Sequence, residues 1–158
     1  VEASRILKSK GYFIRIGFWG YADENPTSVR ESKVLEWHQE GLIEYLGFSS
    51  DVVTDMRRCS ALLLPSYREA LPRSIQEAAA LSIPAIVADV PGCNEVVVHS
   101  VTGFHCEKGN PKDLADKMEI YLNKKHLLAK HGAAAYTRAR STYDAEKINQ
   151  NLMKILSK

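Results

Sequence analysis

Apolar positions recur along this chain in two rhythms that alternate. A helical spacing over residues 1–10 sets an Ile6/Leu7 face against a basic end. Residues 13–19 are rich in aromatic and β-branched side chains and read as a strand. A loop is expected over 20–26, then a helix over 28–40 stopped by Gly41, then a short strand over 43–46. Ser49 or Ser50 is placed to cap a helix that runs to about Arg58, where Arg57 and Arg58 suit the negative end of the dipole. Continuous apolar runs at 61–64 and 85–88 read as buried strands, with a helix over 72–81 between them. A turn at Pro91-Gly92, a short segment at 95–99 and a strand near 104–106 follow. Helical patterns over 111–123, 126–141 and 145–156 finish the chain, so the terminal helices occupy about 126–157.

Strands that alternate with helices, and that are apolar on both faces, predict an α/β fold. The expected architecture is a Rossmann-like parallel sheet with helices on both faces. Five strands are counted, and a strand ahead of Val1 would make six. In such sheets ligands lie beyond the carboxyl ends of the strands. Residues 66–71 and 89–94 both fall there.

Composition narrows the classes. A chain of 158 residues suits one domain, and 45% hydrophobic with 25% charged residues is ordinary for a globular protein. A net charge of +2 gives no argument for nucleic acid. Cys59, Cys93 and Cys106 are an odd count without a CxxC pair, which favours reduced thiols and a cytoplasmic setting. No run approaches the roughly 20 apolar residues of a membrane span. No signal peptide is visible, and the chain opens on Val1 inside a helical pattern. It is therefore expected to be a fragment of a larger protein.

The most telling stretch joins the apolar run at 61–65 to the alanine-rich helix: Tyr67-Arg68-Glu69-Ala70-Leu71-Pro72-Arg73-Ser74-Ile75-Gln76-Glu77. Pro72 suits a first helical turn, where its missing N–H has no partner to lose. The N–H groups of Arg73 and Ser74 then point out of a positive helix end and make an anion site, to which Arg73 adds charge. Glu77 lies about 7.5 Å further along the axis, and its carboxylate can accept two hydrogen bonds from a ribose diol. Glu69, on the loop, can do the same for a hexose across the phosphates. One ligand with a diphosphate and a sugar at each end, a nucleotide-sugar, satisfies this spacing. Two plainer readings stand beside it. Arg73 and Glu77 are an i,i+4 pair, and Ser74-x-x-Glu77 has the form of a capping box that starts the helix later.

Other clusters carry weaker signals. His99, His105, Cys93 and Cys106 invite a metal site, but His105 and Cys106 are neighbours on a strand and face opposite ways. His126 and His131 sit with Lys124, Lys125 and Lys130 in a basic segment, a solvated helix face or a weak attraction for anionic lipid. Trp19 and Trp37 read as core or sheet-edge residues. Arg68 reads as a surface residue. Asp89 belongs either to the ligand crevice or to a turn cap.

The order and spacing of the motifs resemble the carboxy-terminal, donor-binding half of glycosyltransferase family 4 (group 1), enzymes of GT-B fold. The residues that carry the likeness are Leu64-Pro65-Ser66, Glu69-x7-Glu77, Ser82-Ile83-Pro84-Ala85-Ile86-Val87-Ala88, Pro91-Gly92-Cys93-Asn94-Glu95-Val96-Val97 and Val101-Thr102-Gly103-Phe104. Upstream, Trp37 to Gly47 matches too. The resemblance implies that Glu69 faces the transferred sugar as the catalytic-site carboxylate and Glu77 binds the ribose. It implies that Ala70, Leu71, Arg73 and Ser74 line the phosphates and that Phe48 and Ser49 lie by the base. It further implies a UDP-sugar or similar donor, no metal and no other cofactor. The acceptor, a glycan or a lipid-linked one, would be held by an amino-terminal domain, with peripheral membrane association of the whole protein at the inner face. Ala70 stands where the family usually has glycine, and His99-Ser100 where it often has Asp-Gly. The family's basic pair for the leaving diphosphate would precede Val1. A sugar-nucleotide epimerase of the same architecture and a non-catalytic binding subunit remain as alternatives.

Overall fold

The computed structural model describes residues 1–20, 28–144 and 153. The loop expected over 20–26 and the helix expected over 145–156 fall, apart from Gly20 and Met153, outside the described residues. The chain divides into two compact units, Val1–Asp55 and Met56–Lys158.

The first unit holds α1 (Glu2–Ser9), β1 (Gly17–Trp19), α2 (Glu31–Gln39) and β2 (Glu44–Gly47); α3 (Val52–Met56) straddles the unit boundary. β1 and β2 pair in parallel, Phe18 opposite Tyr45, with a bulge between Phe18 and Trp19. Ser4 and Leu7 of α1 are fully buried, and the Ser4 hydroxyl donates to the Leu42 carbonyl at 2.7 Å. The strand is shorter than its composition predicts. Phe13 is almost wholly exposed and the ladder begins at Gly17, because aromatic and β-branched residues make a strand only where a partner edge exists. α3 is capped by neither Ser49 nor Ser50. The Asp51 carboxylate accepts from the Thr54 N–H at 3.1 Å, and the helix ends at Met56, two residues short of Arg58.

The second unit holds β3 (Leu62–Leu64), α4 (Arg73–Ala80), β4 (Ala85–Ala88), α5 (Cys93–Val96), β5 (Gly103–Cys106), α6 (Pro111–Asn123) and α7 (His126–Thr142). Its strands run in the order β3-β4-β5, all parallel, with Leu63 opposite Ile86 and Ile86 opposite Phe104. Each residue of β4 is buried, as a central strand covered on both faces must be. β3 is half-buried at the edge of this three-stranded sheet. The five expected strands are thus present in two ladders rather than one. Ile75 of α4 and Cys93 and Val96 of α5 close over β4 in one apolar cluster. Ala79 packs with Ala135 and Ala139 of α7 in another. Gly132 allows that approach, since a Cβ there would run into the Ser82 carbonyl. The segment expected at 95–99 is a helical turn displaced toward the N-terminus, α5, followed by a bridge between His99 and Gly103.

Candidate functional site

Pro65 follows the last paired residue of β3, and its missing N–H cannot extend the ladder. The chain then crosses the carboxyl end of the sheet as far as Pro72. Pro72 is the N-cap of α4, with φ −68° and ψ 114°, not its first helical residue. A proline fixes φ but leaves ψ free, so it serves the extended cap position as readily as the first turn. The helix therefore begins at Arg73, and Ser74 is its second residue. That geometry removes the capping-box reading, because Ser74 lies inside the helix and not at its cap.

No side chain caps α4, and no acidic residue occupies its first turn. The amides of Arg73, Ser74 and Ile75 precede any intrahelical partner. The pairing of Arg73 with Glu77 is present but slack: 3.9 Å between Nη2 and Oε1, with side chains 90% and 43% exposed. At such exposure the pair adds about 0.3–0.5 kcal/mol, too little to explain why both residues stand there. Glu77 and Gln76 line a groove of about 330 Å³ with Arg140 and Tyr143 beyond. Glu69 is half-buried on the loop, and Ala70 and Leu71 are exposed beside it.

Gly92, the turn glycine of the Pro91–Val97 motif, completes the junction. Its φ is +86°, and a Cβ there would collide with the Ala70 carbonyl and lie 2.7 Å from the Glu69 carbonyl. Only glycine lets the loop after β4 lie against the backbone that carries Glu69. Cys93, next along, is wholly buried, and burial first, then the Glu69 charge, pushes its thiol up to about 11. It is a protonated packing residue. Asp89 braces the turn, its Oδ1 accepting from Asn94 Nδ2 at 2.6 Å.

Phe48 and Ser49 lie in the first unit, just past β2, and the other candidates in the second. Phe48 is 73% exposed, and the Ser49 hydroxyl donates to Asp55 at 2.5 Å. His105 donates from Nε2 to the Val97 carbonyl at 2.8 Å, while its backbone N–H donates to His99 Nδ1 at 3.0 Å. Among the described residues no three His, Cys, Asp or Glu side chains converge on a metal position. His131 is not on a solvated face. It is buried, and its Nδ1 shares a 2.9 Å hydrogen bond with the buried Tyr121 hydroxyl.

The family model for glycosyl transferases group 1 matches residues 2–138. The chain belongs to that family. A relative in Campylobacter jejuni, N,N'-diacetylbacillosaminyl-diphospho-undecaprenol alpha-1,3-N-acetylgalactosaminyltransferase, is 33% identical over 98% of this chain and 39% of its own length. The group 1 chain thus spans well under half of that relative. HepE from Anabaena, solved with UDP, superposes at a TM-score of 0.78 and 22% identity, over 99% of this chain and 52% of its own. The carboxy-terminal domain of the group 1 protein LpcC from Francisella tularensis superposes at 0.64 and 21% identity, over 73% of this chain and 62% of its own. Both share the fold: parallel sheets flanked by helices.

Proposed function

We propose that this chain is the donor-binding half, a single nucleotide-sugar-binding domain, of a retaining glycosyltransferase of two domains. Its donor is a nucleotide diphosphate sugar, a UDP-sugar first among them, and the unit transferred is a hexosyl group. The observation that carries the reading is the uncapped start of α4, with a carboxylate on the loop before it and another one turn inside it. Arg73, Ser74 and the backbone at Ala70 and Leu71 receive the diphosphate. Glu77 receives the ribose diol, and Glu69 the hexose. Phe48 and Ser49 are assigned to the base.

In the reaction the bond from the anomeric carbon to the β-phosphate oxygen breaks, and the diphosphate leaves with the electron pair. An acceptor oxygen then bonds that carbon on the face the diphosphate left, and its proton passes to the departing phosphate or to solvent. Catalysis rests on holding the sugar in place and on stabilising the developing negative charge by helix amides and cations. The UDP complex of HepE and its UDP-glucose complex lend support through the shared fold. The C. jejuni relative is named for a diphospho-undecaprenol acceptor, which favours a glycan or lipid-linked acceptor. No helix among the described residues is long and apolar enough to cross a membrane.

Calorimetry with UDP, GDP, ADP and their sugars tests this. UDP and a UDP-sugar should bind weakly, and the isolated chain should turn nothing over. No heat at millimolar ligand would remove the claim of a preformed donor site.

A further inference from the structure

α5 is a single turn of four residues, too short to hold itself together by its own hydrogen bonds. Its last carbonyls are held from far along the chain. Arg138 on α7 donates from Nη2 to the Glu95 carbonyl at 2.6 Å and from Nε to the Val96 carbonyl at 3.2 Å. The Tyr143 hydroxyl, at the end of α7, donates to the same Glu95 carbonyl at 3.2 Å. At its other end α5 begins from Gly92, the residue whose backbone lies against the carbonyls of Glu69 and Ala70. Between the two ends Cys93 and Val96 are locked into the apolar cluster over β4.

We infer that Arg138, with Tyr143 as its second, is a positioning residue for the donor loop. It fixes α5, α5 fixes the Gly92 turn, and that turn sets the backbone from which Glu69 reaches the sugar. Charge-assisted bonds to two carbonyls of a one-turn helix are the strongest hold available to it. Glu77 is anchored differently, by α4 packed on α7 through Ala79, Ala135 and Ala139, with the Tyr143 ring against the same cluster. Both carboxylates therefore lean on α7, Glu69 through the Arg138 and Tyr143 hydrogen bonds and Glu77 through apolar packing, which Arg138→Lys and Tyr143→Phe leave in place. This assignment rests on the reading of Glu69 as the sugar-facing group.

The test compares Arg138→Ala, Arg138→Lys and Tyr143→Phe, with Tyr121→Phe as a variant that weakens the same unit without touching α5. Affinities are measured for UDP-glucose and for UDP, and backbone amide signals of Glu69 and Ala70 are followed by NMR without ligand. Arg138→Ala should weaken UDP-glucose about tenfold and UDP less than about threefold. It should also move the Glu69 and Ala70 signals. Arg138→Lys should recover part of both. Tyr121→Phe should lower the melting temperature and leave the affinity ratio alone. Equal losses for both ligands, or unmoved amide signals, overturn the inference. If Arg138→Ala does not fold, Arg138→Lys and Tyr143→Phe decide it, since each removes one of the three bonds to α5. If the unaltered chain binds neither ligand, the proposed function fails, while the amide signals still report whether the support exists.

Discussion

Two helices in the second unit start just after a parallel strand, and they start in opposite ways. α6 follows β5 and closes its own end. The Asn110 side chain accepts from the Asp113 N–H at 3.0 Å, Pro111 opens the first turn, and Asp113 supplies negative charge there. Asp113 is itself held by the Glu107 N–H at 2.7 Å and paired with Lys117, and the hydrogen bond from Glu107 is the chief reason its carboxyl lies below the usual range. α4 follows β3 and leaves its end open. It has no cap, no acidic residue in the first turn and a cation at Arg73, where the dipole favours an anion. One sequence writes a self-sufficient helix start and an incomplete one within some forty residues of each other. The incomplete one is where a ligand with negative charge is to be expected.

The largest effect should separate the two starts by function. Glu77→Ala is expected to weaken UDP binding by about 2 kcal/mol, the scale of a hydrogen bond to a charged group. Glu69→Ala should instead act mainly on the sugar-bearing ligand. Equal losses on UDP and on UDP-sugar for both variants, read by calorimetry, would sink the division of roles. Asn110→Ala is the counterpart at the closed start. It should lower stability by about 1 kcal/mol in a denaturant melt and leave nucleotide affinity where it was. A change in UDP affinity there would mean that the two ends are not independent.

How much of this contrast was legible in the sequence follows from the range of the interactions. The α6 start is local: Asn110-Pro111-x-Asp113 states its own cap, and the predicted bounds 111–123 are those observed. The α4 start was legible as chemistry, because Glu69, Arg73 and Glu77 sit on one short stretch. Its first helical residue was off by one, since proline serves a cap or a first turn equally well. The non-local parts were not legible. Gly92 looked like any turn glycine, and only its approach to Glu69 and Ala70 gives it a role. Arg138 reaches carbonyls 42 and 43 positions away, which no spacing rule anticipates. His131 sat among lysines and alanines, yet the helix turns it inward onto Tyr121.

That buried pair gives the second unit a pH dependence of its own. Burial, then Lys130 and His99, hold His131 below its ordinary value. Phe104 and Tyr121 pack against its ring, and His99 is lowered as well, by burial and then by His105 and Lys117. Asp113 and Asp89 act on His99 in the opposite sense. A histidine lowered in the folded state takes up its proton more readily when unfolded, so stability is full above about pH 6.5 and falls as pH drops below it. The melting temperature should therefore decline between neutral pH and the folded values. The double variant Tyr121→Phe/His131→Leu should flatten that decline. If it leaves the slope unchanged, the pair is not its source.

The smallest effect has the most to say, because its sign differs between stability and function. Arg73→Asp places a carboxylate at the start of α4, as Asp113 stands at the start of α6. The dipole then favours the residue it opposed, while the slack pairing with Glu77 at 3.9 Å becomes an i,i+4 repulsion of about 0.3 kcal/mol. The net gain in stability should be about 0.3 kcal/mol. UDP affinity should fall at the same time, since the new charge repels the diphosphate from the amides that would receive it. A denaturant melt and a UDP titration on one sample check both. A variant that is less stable, or that still binds UDP, would mean that the open start of α4 is not held open for an anion.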